Sequence, residues 1–444
     1  MSHRTDSNLS PSSRTVSMID LEKAPALLRH ATDALAGAFS GDGAPDPFVD
    51  LRHKARESFE ALGFPTPREE AWKYTDLRKA LKPDYAAPAP AEATDADLDA
   101  VTVPELHAAR VVVVNGRFDA SRSDLSTIPD RVTVTSLAEA LSQSPDSVAD
   151  TFGRHVDVGR DAFAALNTAM ALDGVYIHVP RGVAVETPIH VVHLTVADAP
   201  VFVQTRNLFV IDDAAEARIL EPYTSRTTGE TFRNDLTEIV AGDATNVHHV
   251  RVQDDGDHAN GVTLVQSVQG RDSTVSTLTF TFSSGTVRNN TVMVPGGQGS
   301  NATLGGLYIC HGEQHVDTST LVDHVAPGCE SNELFKGIVY DRSTGVFNGK
   351  VFVQREAQQT NAYQQSQGVV LSPDAHHHSK PELEIYADDV QCSHGSTTGA
   401  VEPEHVFYLR SRGVSESDAR AMLLYAFAHD VVEMVSSEAL RDHL

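Results

Sequence analysis

The sequence predicts a mainly β protein organised as a β-helix, a solenoid in which successive turns of the chain stack on one another. Between residues 174 and 400 the chain has short segments of alternating hydrophobicity, small turns and no clear helical periodicity. One type of turn returns at intervals of 30, 29 and 28 residues, at Asp213-Ala214, Asp243-Ala244, Asp272-Ser273 and Ser300-Asn301. A near-constant period, in units too short to bury their own apolar face, is typical of a stacked solenoid. An antiparallel sandwich would have the same short strands but no reason for the regular return of one turn.

Helical segments are predicted before the solenoid. Residues 1–20 are rich in polar and charged side chains and are expected to be disordered. Residues 21–81 are expected to form a helical domain, because apolar residues recur at helical spacing over residues 19–39 and again between Pro47 and Gly63. Trp72, the only tryptophan, is expected to pack this domain down. Residues 82–108 are rich in Ala, Pro and Asp and are interpreted as a linker or a poorly ordered loop.

The solenoid core is expected to span residues 109–400. It begins with a buried strand from Ala109 that enters a turn at Asn115-Gly116, and a helical interlude is expected near residues 136–171. Residues 401–444 are predicted to be a C-terminal helical domain. There a short helix ends at Gly413, and Ser415 with Asp418 resembles the capping box of a longer helix.

The chain is strongly acidic. Among its 444 residues, 61 Asp and Glu oppose 35 Lys and Arg, which gives a net charge of -26 at pH 7. Such a surface repels the phosphates of nucleic acids and anionic lipids, so neither a nucleic acid nor a membrane is expected as a partner. The three cysteines cannot all pair, and no segment resembles a secretory signal or reaches the ~20 apolar residues of a membrane helix. These features favour a reducing, cytoplasmic location.

The motifs of common enzymes are absent from the sequence, which contains no phosphate-binding loop, no G-x-S-x-G elbow and no H-E-x-x-H helix. The chain is therefore expected not to be an enzyme. The tract from His376 to His378 looks like a metal ligand set, but its polar surroundings favour a solvated loop. Two further groups do not complete a set of four metal ligands by their spacing: Cys310 with His311 and His315, and Cys329 with His324.

The best candidate site lies in residues 380–395. Leu383, Ile385 and Ala387 alternate with polar residues, the pattern of a strand with one buried face, and Cys392 and His394 follow two residues apart. In an extended chain these two side chains project from the same face, so both could reach one metal or one partner surface. The structural alternative is a buried thiol and a histidine with ordinary hydrogen bonds.

These residues also carry a resemblance to a known family. The run KPELEIYADDVQCSHGSTTG at residues 380–399, FYLRSRG at 407–413 and the C-terminal helix resemble the SufB/SufD family of iron-sulfur cluster assembly proteins. The SufD branch is the closer match, because Gly395 follows His394 where SufB proteins typically have a glutamate. REEAWKYTDLR at residues 68–78 also resembles the opening of SufD proteins. The resemblance extends from about Phe48 to the end of the chain.

The resemblance implies a right-handed parallel β-helix and a non-catalytic scaffold that acts with a SufB-like subunit and a SufC-like ABC ATPase. It also allows a homodimer in isolation. A nascent iron-sulfur cluster would be held transiently at the subunit interface, where His394 would cooperate with a SufB cysteine and Cys392 matches the neighbouring motif cysteine. The C-terminal helices would contact the ATPase, through Phe407, Tyr408, Leu409, Arg410, Arg412 and Gly413.

Two other interpretations remain open at this stage. β-Helices also host polysaccharide lyases and hydrolases, and Asp388 and Asp389 could supply paired carboxylates. Adjacent residues of a strand point to opposite faces, however, which makes a shared substrate difficult for these two side chains. The other interpretation is a purely structural, SufD-like partner without a ligand role of its own.

Overall fold

The computed structural model describes residues 48–444, and this range is dominated by a parallel β-solenoid of about seven turns with helices at both ends. The predicted fold class is confirmed. The disorder expected for residues 1–20 and the helical pattern of residues 19–39 lie outside the described residues. Within residues 48–444, no helix has both the length and the apolar character needed to cross a membrane.

Two sheets form the walls of the solenoid, and the chain alternates between them. The ten-stranded sheet contains Ala109–Val114 (β1), Arg117–Phe118 (β2), Ile189–Ala197 (β5), Glu216–Thr227 (β7), Asn246–Asp254 (β9), Thr274–Ser283 (β11), Asn301–Cys310 (β13), Glu330–Val339 (β15), Thr360–Val370 (β17) and Val390–Gly399 (β19). The nine-stranded sheet contains Thr133–Ser136 (β3), Val175–Val179 (β4), Val201–Ile211 (β6), Thr231–Ala241 (β8), Ala259–Gln269 (β10), Thr286–Pro295 (β12), His315–His324 (β14), Thr344–Val353 (β16) and His376–Ile385 (β18). The order of strands is β19-β17-β15-β13-β11-β9-β7-β5-β1-β2 in the first sheet and β18-β16-β14-β12-β10-β8-β6-β4-β3 in the second.

Strand pairing is parallel throughout the stacked turns, and only β1 with β2 and β3 with β4 pair antiparallel among the named strands. Each strand therefore pairs with the strand one full turn earlier. The inward side chains of both sheets form a long apolar core that includes Val191, Phe209, Val265 and Phe335. A period-2 sequence pattern places these side chains inside because alternate residues of a strand face opposite sides of the sheet.

The repeated turn is the clearest link between sequence and fold. The residue two positions before β7 and before β9 has a left-handed backbone, with φ of 56° at Ala214 and 55° at Ala244. The same conformation returns at Asp272, Gly299, Gly328 and Gln359. These turns stack, since the amide of Ala214 donates to the Asp243 carbonyl and that of Ala244 to the Arg271 carbonyl, both at 2.7 Å. The repeat is confirmed, although the left-handed residue lies one position earlier than predicted in the third copy and two positions earlier in the fourth.

A helical cap covers the N-terminal half of the nine-stranded sheet. Its helices are Val49–Leu62 (α1), Leu137–Gln143 (α3), Pro145–Val148 (α4) and Ala162–Met170 (α5), with a 3-10 turn at Glu70–Trp72. The short helix Asp95–Asp99 (α2) packs instead on the ten-stranded sheet, where Leu98 is buried in one cluster with Val112 and Val192. Ala55 and Phe59 of α1 are buried in one cluster with Phe163 of α5 and Phe232 of β8. Trp72 packs on this cluster, as expected, and the Arg288 guanidinium lies 4.1 Å from its ring centre.

Residues 82–108, interpreted as a linker, instead pack along the solenoid. Tyr85 is buried, its hydroxyl donates to the Ala80 carbonyl, and Ala86 bridges to Val201 at the start of β6. Leu98 and Val103 are also buried. A few apolar side chains among the Ala and Pro residues find partners on the sheet, which composition alone could not indicate.

The chain ends in three helices, Pro403–Arg410 (α6), Glu416–Val432 (α7) and Glu438–His443 (α8). The end of α7 and α8 pack on the outer face of the ten-stranded sheet, where Val431, Val435 and Leu440 join the cluster of Leu278 and Phe280. The Lys336 ammonium of β15 lies 2.5 Å from the Asp430 carboxylate. This part of the C-terminal segment is therefore a structural cover for the sheet.

Candidate functional site

The candidate site occupies the last turn of the solenoid. The predicted strand near Leu383 ends at Ile385, residues 386–389 form a turn, and β19 begins at Val390. The expected burial is only partly observed: Ala387 is buried and Leu383 is half-buried, but Ile385 is 39% exposed. The reason is its place in the stack, because β18 and β19 are the last strands of their sheets and pack against only one neighbouring turn.

Cys392 and His394 lie on β19, where the parallel register pairs them with Ala362 and Gln364 of β17. Both β17 residues are buried, as are Thr360, Ser366 and Gly368 on the same face of that strand. Since side chains of paired parallel strands share a face, Cys392 and His394 belong to the inner face of the terminal turn. Sequence reasoning placed them on one face, and the strand assignment agrees.

Cys392 is half-buried beside an apolar cluster that contains Ala362 and Val351, together with the partly buried Leu383. Burial raises the pKa of the Cys392 thiol, which favours the protonated form. A metal ligand is a thiolate, so this thiol would have to lose its proton when a metal or a partner's basic group arrives.

His394 is exposed, as are the residues from Ser393 to Gly399 around it. A Cβ atom added at Gly395 would meet nothing within 4 Å, so the opposite face of β19 is also open next to His394. Within residues 48–444, no three His, Cys, Asp or Glu side chains come together as a metal site. A cluster at this position would therefore need ligands from another molecule.

A buried polar group lies directly below His394. The Gln364 amide nitrogen donates to Glu333 Oε1 at 3.0 Å, and the Thr320 hydroxyl donates to Glu333 Oε2 at 2.6 Å. Burial raises the pKa of Glu333 to about 7, while the two hydrogen bonds act in the opposite direction. Sequence reasoning missed this group, because only strand register reveals that Glu333, Gln364 and His394 form one column.

The histidine tract is a strand and not the solvated loop that the sequence indicated. β18 begins at His376, and His377 Nδ1 lies 2.8 Å from the Thr398 hydroxyl across the terminal turn. Burial lowers the pKa of His377 to about 4. His378 stacks on Tyr74 with ring centres 4.4 Å apart. The polar composition was misleading because β18 is the last strand of its sheet. A last strand packs against one neighbouring turn only, so it needs fewer apolar side chains than the strands before it.

Asp388 and Asp389 lie in the exposed turn between β18 and β19 and not on a strand. The Asp389 amide donates to the side chain of Gln358, which gives that residue a role in turn stacking. An exposed turn does not enclose a sugar, so this arrangement does not favour a polysaccharide lyase or hydrolase.

The other two cysteines are core residues. Cys310 is fully buried, and burial raises its pKa to about 12. Cys329 is fully buried too and donates to the Gly297 carbonyl at 3.2 Å. His324 is bonded to Ser331 at 2.9 Å. The nearby histidines therefore do not make these thiols into metal sites.

A second exposed surface lies on the C-terminal helices. Its apolar side chains, here called the helical-end patch, are Phe407, Tyr408, Met422 and Tyr425, with exposed fractions of 74%, 55%, 52% and 69%. Among the residues predicted to contact an ATPase, Leu409 is half-buried, Arg410 pairs with Glu416 at 3.2 Å, and the Arg412 guanidinium covers Tyr408 at 3.6 Å. Gly413, with φ of 87°, ends this helical segment.

Exposed apolar residues also surround the terminal turn, namely Tyr363, Leu371, Ile385 and Tyr386. Of these, sequence reasoning assigned Ile385 to the buried face, because alternating apolar residues in a strand normally indicate burial. Fold and site together define a β-solenoid protein whose candidate metal ligands, Cys392 and His394, lie on an exposed terminal strand and form no metal site with other side chains of residues 48–444.

Comparison with known proteins identifies the family. Residues 193–427 match the family described as "SUF system FeS cluster assembly, SufBD core domain", and residues 39–191 match the "SufBD protein N-terminal region". The chain belongs to the SufBD family of iron-sulfur cluster assembly proteins, as the sequence resemblance indicated.

The relatives cover most of the chain. An iron-sulfur cluster assembly SufBD family protein of Synechocystis sp. is 32% identical over 405 residues, 89% of each chain. The iron-sulfur cluster assembly protein SufD of Escherichia coli is 28% identical over 388 residues, 86% of this chain and 88% of the relative. SufD of Bacillus subtilis is 26% identical over 407 residues, 89% of this chain and 92% of the relative.

Proposed function

We propose that this chain is a non-catalytic scaffold subunit of the SUF system, acting in the cytoplasm with a SufB-like subunit and a SufC-like ABC ATPase. The observation that carries the proposal is the exposed terminal strand β19, which presents His394 and Cys392 without a complete ligand set among residues 48–444. Family membership supplies the context of iron-sulfur cluster assembly. The cluster in this proposal is cargo, held briefly and then released.

The SufB-like subunit would dock on the terminal turn. β18 and β19 are the last strands of their sheets, and a sheet edge offers backbone groups that a second chain can pair with. Ile385 and Tyr386 add exposed apolar surface at the same end. In the absence of that subunit, a second copy of this chain could use the same edge and form a homodimer.

The cluster would lie where the two subunits meet. His394 is accessible and would contribute an imidazole ligand, with a cysteine of the SufB-like subunit as its partner. Cys392 is a weaker candidate because it is half-buried and its pKa is raised. These two observations favour a second, purely structural role for Cys392 in packing the terminal turn.

The helical-end patch would bind the ATPase. It exposes four large apolar side chains, while the buried end of α7 anchors the helix on the solenoid. The sequence contains no phosphate-binding loop, so ATP hydrolysis in such a system would be supplied by a partner.

A co-purification experiment tests the partners. The tagged chain, co-expressed with a SufB-like subunit and a SufC-like ATPase, is expected to recover both. The double variant Phe407→Asp with Tyr425→Asp should recover the SufB-like subunit and lose most of the ATPase, because charges replace the exposed apolar contacts.

Val49→Asp is the matched control, because Val49 is 45% exposed on the N-terminal cap. It should retain both partners, and all variants should keep the circular dichroism of the parent. Recovery of the ATPase by the Phe407→Asp, Tyr425→Asp variant would contradict the assigned docking surface. A chain recovered only as a free monomer would contradict the scaffold role.

A further inference from the structure

One buried side chain stands between the polar interior and the proposed cluster ligand. Gln364 is 2% exposed, and its amide nitrogen donates to the Glu333 carboxylate at 3.0 Å. Because the nitrogen is the donor of a side-chain amide, this bond fixes the orientation of the group and turns Oε1 away from that oxygen. Thr320 holds the other oxygen of Glu333 at 2.6 Å.

The second polar atom of this amide has no protein partner. Gln364 Oε1 is buried, and within residues 48–444 it accepts no hydrogen bond. A buried carbonyl oxygen without a donor is unfavourable, so such an atom is expected to have a partner in the working state of a protein. The next side chain on the same inner face, one strand further towards the end of the solenoid, is His394.

The Gln364 amide occupies space that a glycine on the facing strand leaves open. A Cβ atom at Gly349 of β16 would lie 2.5 Å from the Gln364 nitrogen, so only a residue without a side chain fits there. Parallel strands run about 4.8 Å apart, so an imidazole above a glutamine in the same register can reach its oxygen with a ring N–H. Beneath His394 there are therefore Glu333, which holds the Gln364 amide, and Gln364 Oε1, which is free to accept a hydrogen bond.

We infer that Gln364 is a positioning residue for His394, with its Oε1 accepting the N–H of the imidazole. This inference rests on the proposed role of His394 as a cluster ligand. A histidine that binds a metal through one nitrogen usually donates the other N–H to a fixed acceptor, which sets its tautomer and ring orientation. Glu333 orients Gln364, Gln364 orients His394, and the second ring nitrogen then faces the partner subunit.

The test measures the tautomer of His394 directly. The full chain, labelled with 15N-histidine, is studied by NMR at pH 8, and the His394 signals are assigned as those missing in His394→Gln. Gln364→Met keeps the shape of the side chain but removes the acceptor, and the tautomer ratio should change about fivefold, the equivalent of one ordinary hydrogen bond.

Gln365→Met is the matched control, because Gln365 is the exposed neighbour on the same strand. It should leave the ratio unchanged. The circular dichroism spectrum and the melting temperature of each variant are measured first, so that a misfolded chain is recognised. An unchanged ratio in a folded Gln364→Met chain would overturn the inference.

Iron retention separates this inference from the proposed function. In the co-expressed complex, Gln364→Met should lower the affinity for iron about tenfold, the usual effect of removing an acceptor behind a histidine ligand. If His394→Ala loses iron and Gln364→Met changes neither iron nor tautomer, the positioning role alone is wrong. If His394→Ala retains iron, the ligand role is wrong, and the tautomer measurement still decides whether Gln364 bonds to His394.

Discussion

The two ends of the solenoid are built differently. At the N-terminal end, α1, α3 and α5 cover the first strands. There the Arg206 guanidinium of β6 forms a buried ion pair with Glu238 of β8 at 2.5 Å and donates to the Thr168 hydroxyl of α5 at 2.9 Å. At the C-terminal end, β19 is exposed over most of its length. The covered end carries the internal bonds of the fold, and the bare end carries the candidate ligands.

This difference shows how one fold can separate stability from assembly. A terminal strand with free backbone groups is a liability unless another chain covers it. Here the exposed end also has Ile385, Tyr386, Cys392 and His394. We therefore expect substitutions at the covered end to change folding, and substitutions at the bare end to change complex formation or cluster content.

The largest effect is expected at the covered end. Arg206→Met leaves the Glu238 carboxylate buried without its guanidinium and should lower the free energy of unfolding by ~3–5 kcal/mol. Lys350→Met is the matched change near the bare end, where the Lys350 side chain is 35% exposed beside Glu382 and Glu384, and should cost less than ~1 kcal/mol. Urea unfolding followed by circular dichroism measures both. Equal costs would remove the distinction between the ends.

The next effect is the pH dependence of stability that buried Glu333 causes. It tests whether the interior directly below the bare end behaves as a buried region. The pKa of Glu333 is about 7 in the fold against an ordinary 4.5, so the unfolded chain loses the proton first as the pH rises. The penalty on stability is absent below pH 4.5, grows from pH 4.5 to 7 and reaches about 3 kcal/mol above it.

Glu333→Gln removes this penalty, so the variant should be more stable than the parent at pH 8 and equal to it near pH 4.5. The exposed Glu330 of the same strand provides the control Glu330→Gln, which should have little effect at either pH. Urea midpoints at the two pH values measure the difference. A Glu333→Gln variant less stable than the parent at pH 8 would show that the carboxylate is stabilised in the fold.

A smaller effect is expected on partner binding. Ile385→Asp places a charge on the exposed terminal turn and should weaken binding of the SufB-like subunit by ~30-fold, the loss expected for one good apolar contact. Leu62→Asp, at a residue 43% exposed on the covered end, should bind as the parent does. Calorimetric titration of the two chains measures the affinity. Similar affinities for both variants would place the docking surface elsewhere.

The smallest effect concerns Cys392. Cys392→Ser keeps the size of a half-buried side chain, so the melting temperature should fall by no more than a few degrees. Its loss of iron should not exceed that of His394→Ala, because the thiol is partly covered and its pKa is raised. Iron analysis of the two co-expressed variants makes the comparison. Greater loss in Cys392→Ser would make the thiol the main ligand.

The sequence predicted the solenoid because its physical cause is local. The turn at Asp213-Ala214 or Asp272-Ser273 and the period-2 alternation can be recognised within a single repeat, and the same two features return in each following repeat. The strand with Leu383 and Ile385 was predicted for the same reason, while the extended chain assumed for Cys392 and His394 is a separate strand, β19. Residues 82–108 and the histidine tract were misjudged, since their state depends on neighbours that are distant in the chain.

The remainder of the site could not be predicted because it depends on register. Glu333, Gln364 and His394 are about 30 residues apart, in separate copies of the repeat, and one residue of slip would place them on opposite faces. The exposure of Ile385 follows from the end of the stack, and no local pattern distinguishes the last turn from the turns before it.

The most direct test of the account is the iron and acid-labile sulfide content of the co-expressed complex with His394→Ala. The control is His376→Ala, at an exposed histidine on β18 of the same terminal turn. We expect His394→Ala to fold, to retain both partners and to lose most of its iron and sulfide, while His376→Ala keeps the parent content. Equal iron and sulfide in the two variants would contradict the assignment of His394 as the cluster ligand.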